Sequence, residues 1–155
     1  MTQTKKGNQW YFGMKAHTGT DTKNRVVHTI VATTASVHDS QVMEDLLHGE
    51  EERVYGDKAY ADQARKDEFE ERGVKWCVAK KAARGTTLSQ QDQKHNRRLS
   101  KTRARGEHPF HVVKCLFGHR KVRYRGLAKN ANQLFTLFSL ANLYLVRRQL
   151  RHQPA

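Results

Sequence analysis

Trp10-Tyr11-Phe12-Gly13-Met14-Lys15-Ala16-His17 alternates in character. Trp10, Phe12, Met14 and Ala16 fall on one side, and Tyr11, Lys15 and His17 on the other. A period of two predicts a strand with one face on the core. Residues 18–24 are polar with one Gly, a turn cluster. Residues 26–33 are nearly continuously apolar and β-branched, which predicts a strand buried on both faces. The two strands read as an antiparallel hairpin.

Beyond the hairpin, Asp39 or Ser40 can cap a helix carrying Val42, Met43, Leu46 and Leu47, with Glu44 in its first turns and Gly49 as its stop. Residues 54–57 predict a short strand, 63–72 an amphipathic helix ending at Gly73, and 74–79 another short strand containing Trp76. Strand, strand, helix, strand, helix, strand is an α/β order. Residues 80–105 are strongly basic, with Leu88 and Leu99 nearly alone as large apolar residues. That stretch is either a solvated loop and helix or a surface for phosphate. Residues 107–117 read as helical and 121–125 as extended. Residues 134–150 predict a core-covering helix. Leu134, Leu137, Phe138, Ala141, Leu143, Leu145 and Val146 form its apolar stripe, and Arg147 and Arg148 close its last turn.

The 155 residues suit one domain. Lys and Arg number 29 against 15 Asp and Glu, a net charge of +14. Such a surface attracts polyanions by releasing their counterions. No run is long and apolar enough for a membrane span, and the amino terminus has no signal-peptide core. Nucleic acid is the expected partner, with no membrane, and a bacterial cytoplasmic, nucleoid-associated location fits best. The two cysteines, Cys77 and Cys115, form no CxxC pair and are expected as reduced, mostly buried thiols. The nine histidines are scattered. His108 and His111 could share a helix face, but no thiolate or carboxylate cluster completes a zinc set.

Two acidic residues stand apart. Asp57 closes an apolar strand in Val54-Tyr55-Gly56-Asp57-Lys58-Ala59-Tyr60. Ligand sites gather at such strand ends, so Asp57 is a candidate metal ligand; it is equally a turn residue or helix cap. Glu107 lies in Arg103-Ala104-Arg105-Gly106-Glu107-His108-Pro109-Phe110, with Lys114 seven residues on. In one helix Glu107 and Lys114 would share a face, and Arg103 would join them. A carboxylate among cations suits a metal held against a phosphodiester; an ordinary surface ion pair has the same spacing. Gly106 and Pro109 argue against one unbroken helix there.

These residues resemble those of a known family. Gly7-Asn8-Gln9-Trp10-Tyr11-Phe12-Gly13-Met14-Lys15-Ala16-His17 is similar to a hairpin opening in IS5-group (IS4/IS5-like) insertion-sequence transposases. Val37-His38-Asp39-Ser40 follows as it does there. Tyr55-Gly56-Asp57-Lys58-Ala59-Tyr60 resembles the motif around the family's second catalytic Asp. Arg103, Glu107 and Lys114 match its Arg-x3-Glu-x6-Lys signature. The match resumes in Val122-Arg123-Tyr124-Arg125-Gly126-Leu127-Ala128-Lys129-Asn130. Ser100 stands where related families carry Tyr, and Gly106 where an apolar residue is expected.

The resemblance implies an α/β, RNase H-like mixed sheet with flanking helices and a DDE site. In such a site three carboxylates hold two Mg²⁺ for in-line attack of water or a DNA 3′-hydroxyl on phosphorus. It makes Asp57 the second carboxylate, Glu107 the third, and Arg103 and Lys114 phosphate contacts. The family's first Asp lies on a strand before the hairpin; the nine residues before Trp10 hold no acidic residue and no apolar strand. The expectation is therefore a truncated catalytic domain lacking its first strand, with residues 1–79 as sheet core, 80–105 as a basic insertion or linker, and 106–155 as a helical part carrying Glu107. Lys80, Lys81 and Arg84 are the expected DNA-backbone contacts in the basic stretch. DNA transposition is the expected function, with this chain inactive alone; a non-catalytic basic DNA-binding remnant is the alternative. An RNA-associated protein would need aromatic stacking on an open sheet, and only 8% of residues are aromatic. The expected partners are insertion-sequence ends and target DNA, with a homodimer or an upstream-encoded fragment. Without the first strand, residues 10–17 or 26–33 would present an unpaired edge prone to self-association.

Overall fold

The computed structural model describes the backbone of residues 2–151, and the side chains of that span outside residues 2–6 and 10–12. The chain divides into two compact units, Met1–Leu47 with Gly106–Ala155, and His48–Arg105.

The first unit holds a three-stranded sheet in the order β1-β2-β3, from β1 (Thr2–Lys6), β2 (Gln9–Thr20) and β3 (Val27–Thr34). The polar sequence Thr2-Gln3-Thr4-Lys5-Lys6 forms a strand that the apolar criterion misses. It pairs antiparallel with β2 from Lys6↔Gln9 to Thr2↔Gly13. Gly7, at φ +62°, makes the two-residue connection between them. The rest of β2 pairs with β3 from Met14↔Thr34 to Thr20↔Val27, shifting register at Gly19/Thr20. The hairpin is as read: β1 pairs with residues 9–13 of β2 and β3 with residues 14–20, and β3 ends the strand order, so of the two expected edges the one on β3 has no further strand beside it among the described residues.

Burial on β2 departs from simple alternation. The Trp10 and Phe12 side chains lie outside the described residues. Ala16 packs on the core as expected, yet His17 on the opposite side is also buried. Short 3-10 turns, Asp39–Gln41 and Glu44–Leu46, replace the expected helix, and the second lies against β2 and β3. An isolated segment of so few residues gains too little to nucleate an α-helix. His38, not Asp39 or Ser40, caps the first turn, in a reciprocal arrangement with Gln41. Gly19 permits the close approach: a Cβ there would meet the Leu46 carbonyl oxygen at 2.5 Å. On β3 only Val27 is fully buried, so the expectation of burial on both faces fails.

The rest of this unit is helical. The chain passes through a 3-10 turn (Ala104–Glu107), a short α-helix α3 (His108–His111) and a π turn (Val112–Leu116), then, after an irregular stretch, α4 (Leu127–Arg151). Residues 121–125 are irregular and not extended. The core joins Val27, Val112, Val113, Phe138 and Ala141, with Ala16, Ile30, Phe110, Leu134, Leu137 and Leu145 against it. Phe110 meets Phe138 edge-on at 5.1 Å. Leu143, read into the buried stripe, is 57% exposed, beside exposed Leu140 and Tyr144. Apolar residues surround α4, and one side covers the sheet. Cys115 is exposed, contrary to the buried thiol expected.

The second unit pairs β4 (Arg53–Gly56) in parallel with β5 (Lys75–Val78), from Arg53↔Lys75 to Gly56↔Val78. Between them runs α1 (Gln63–Glu71), capped by Asp62 and stopped at Gly73, whose φ is +75°. Phe69 of α1 is buried with its ring 4.9 Å from that of Trp76. The basic segment then forms α2 (Gln90–Arg103), capped by Ser89 and packed on β4. Among the described residues no helix is long and apolar enough to cross a membrane.

Candidate functional site

Asp57 is the first residue after β4. Its carboxylate accepts from the Lys58 N–H at 2.6 Å, capping the 3-10 turn Lys58–Tyr60. The capping role read from sequence is therefore present, and the carboxylate remains exposed. Gly56 is needed just before it: a Cβ there would lie 3.0 Å from Val78 Cγ2 and 3.3 Å from the Tyr60 ring. A cavity of about 350 Å³ opens beside Asp57, lined by Gly56, Asp57, Lys58, Ala79 and one face of α2: Asn96, Arg97, Leu99, Ser100 and Arg103. Within this unit Asp57 and Arg103 thus line one pocket at the end of β4. Ser100, in place of a bulkier Tyr, lines the same wall.

The α2 wall is fastened by Asn96. Its Oδ1 accepts from the Lys80 N–H at 2.9 Å, and its Nδ2 donates to the Lys80 carbonyl at 3.0 Å. The Lys80 ammonium donates to Asp92 at 2.7 Å. Hydrogen bonds from Lys80 and Ser89 hold the Asp92 carboxyl below its ordinary range. Lys80 is thus committed to a protein partner, while Lys81 and Arg84 stand exposed.

Glu107 and Lys114 lie in the other unit. Glu107 ends the 3-10 turn and is exposed at the start of α3, with buried Pro109 in the first turn. Lys114 sits in the π turn, its Nζ 5.4 Å from the centre of the Phe110 ring. Uniform helical spacing does not carry Glu107 to Lys114, because the pitch changes twice between them. Pro109 and the wider π turn are the physical reason. Among the described residues no three His, Cys, Asp or Glu side chains come together to hold a metal ion.

Sequence reasoning missed three polar anchors. Asn142 Oδ1 accepts from the Val27 N–H at 2.8 Å, and its Nδ2 donates to the Val27 carbonyl at 2.7 Å, tying α4 to β3. Asn130, 2% exposed, donates to the carbonyls of Tyr124 and Gly126, both at 2.7 Å. His17 Nε2 bonds Thr33 Oγ1 at 2.8 Å, while its Nδ1 faces Asp39 at 3.3 Å. Lys15 lies 3.6 Å from the same carboxylate and donates to the Val37 carbonyl. A polar residue inside an apolar run was the available signal for Asn142; Asn130, among Lys129, Asn132 and Gln133, had none.

A family model described as a transposase DDE domain matches residues 1–143. No solved structure matches the chain.

Proposed function

The chain belongs to the transposase DDE domain family, and from that premise we propose that it is a DNA-handling catalytic domain of the IS5 group and of RNase H-like type. The family's process is DNA transposition, its members use a divalent metal, and its partner is DNA. In this reading Asp57 and Glu107 are the second and third of three metal-holding carboxylates, and the metal is Mg²⁺. Arg103 and Lys114 contact backbone phosphate. Lys81 and Arg84 extend that contact, joined by Lys80 when DNA phosphate competes with Asp92 for its ammonium. The observation that carries the reading is the pocket at the end of β4, where Asp57 shares a wall with Arg103 of the Arg-x3-Glu-x6-Lys signature. The net charge of +14 supports the DNA contact.

Two carboxylates do not complete a two-metal clamp, so we assign this polypeptide alone no chemical step. Its proposed assembly is a homodimer acting at the bacterial nucleoid. Supercoiled-plasmid nicking with Mg²⁺ or Mn²⁺ tests this. The expected result is no turnover that depends on Asp57; clear nicking abolished by Asp57→Ala would overturn it. A second reading, a non-catalytic DNA-binding remnant, is favoured by the net charge of +14, which draws polyanions without any chemical step. Adding a polypeptide with the family's first strand and its Asp separates the two. Nicking restored by that addition supports the enzyme fragment, and DNA binding without nicking supports the remnant.

A further inference from the structure

The pocket beside Asp57 carries more positive charge than the signature residues supply. Its charged lining is Asp57 against Lys58, Arg97 and Arg103, one negative charge against three positive. Asn96, Arg97, Ser100 and Arg103 recur at helical spacing, so one face of α2 forms the wall. Arg97 enters none of the ion pairs found among the described residues. Asn96 holds this wall by both amide atoms, so the guanidinium projects from a fixed helix. About 350 Å³ is room for a small polar group, within the roughly 300–1,000 Å³ usual for ligand sites. A guanidinium presents paired donors that match the oxygens of a phosphodiester.

We infer that Arg97 is a DNA-contact residue that seats one backbone phosphate in this pocket, next to Asp57. The inference rests on the DNA-handling reading and adds a residue to it. The phosphate is read without regard to base, since Arg97 and Ser100 offer charge and a hydroxyl while both amide atoms of Asn96 are bound to the Lys80 backbone. Asp57 opposes the phosphate when no metal is present, and Arg97 attracts it.

Binding of a labelled duplex oligonucleotide in EDTA, followed across a salt titration, tests this with the full chain. Arg97→Ala is expected to weaken binding roughly tenfold at low salt and to flatten the salt slope by about one. Alanine suits an exposed helix position, and circular dichroism checks the fold. Arg97→Lys should keep the slope but bind more weakly, having lost the paired donors. Asp57→Asn should tighten binding in the same metal-free buffer. Lys66→Ala removes the same charge from α1 and should leave the slope unchanged. Wild-type binding with Arg97→Ala indistinguishable from it, or with Lys66→Ala shifting the slope equally, overturns the role of Arg97 and leaves the DNA-handling reading standing. Absence of wild-type binding overturns both.

Discussion

Asn142 carries two hydrogen bonds to the backbone of Val27, at the seam between α4 and β3. Truncating it leaves an N–H and a carbonyl in a partly buried seam without partners. Asn142→Ala should therefore cost about 2–4 kcal/mol in urea unfolding, well above an exposed helix substitution. Burial holds the His17 imidazole below its ordinary 6.5, with Asp39 pulling it up and Lys15 pushing it down. The unfolded chain then takes up this proton near 6.5 and the folded chain only at lower pH. Between those values the unfolded state binds more protons, so stability present above 6.5 declines as pH falls. His119, lowered by burial and then by Arg123, acts with the same sign. The urea midpoint should drop as pH is lowered from neutrality, and His17→Gln should flatten that drop without abolishing it. Sequence placed His17 on a solvent side because alternation describes one strand at a time. The structure sets Thr33 of the neighbouring strand and Asp39 against its ring, contacts that no single-strand pattern contains.

Gly56 links β4 to the pocket by the absence of a side chain. Gly56→Ala should force Val78 or Tyr60 aside, costing about 1–3 kcal/mol and displacing Asp57 from the wall it shares with α2. The check is a lower urea midpoint together with the loss of the salt-slope difference between wild type and Arg97→Ala. The elements here were legible where local signals agreed. β4, α1 and β5 fall within a residue or two of the reading, because the apolar runs and Gly73 mark the same boundaries. β1 was not legible, since its Thr and Lys residues carry no apolar pattern and its strand exists through pairing with β2. The pitch changes around Pro109 were half legible: Pro and Gly warned of a break, but the π turn carrying Lys114 left no mark in composition. The site followed the same division. Asp57 and Arg103 each stand in a motif, but their common pocket, like the place of Arg97 in it, emerges only when α2 is folded onto β4.

Charge and apolar surface make different demands on the whole chain. Leu140, Leu143, Phe135 and Leu150 of α4 are exposed together with Tyr144. Exposed apolar groups on one helix favour association. Leu143→Glu combined with Leu140→Glu should raise solubility and shift light-scattering mass downward without changing the circular dichroism spectrum. The +14 net charge acts at longer range, drawing the chain to any polyanion before a particular contact forms. Length and charge identified the partner class, and ordered motifs identified the family. The division into two units was hidden, because Gly106–Ala155 joins Met1–Leu47 across more than fifty intervening residues. The claim that this molecule acts on DNA through backbone phosphate is tested most directly by titrating its affinity for duplex DNA against salt in the absence of metal. The account predicts a log–log line falling with a slope of about −0.9 for each phosphate neutralised, several units in all, and little dependence on sequence. Binding that is absent at low salt, or that does not weaken as salt rises, would contradict it.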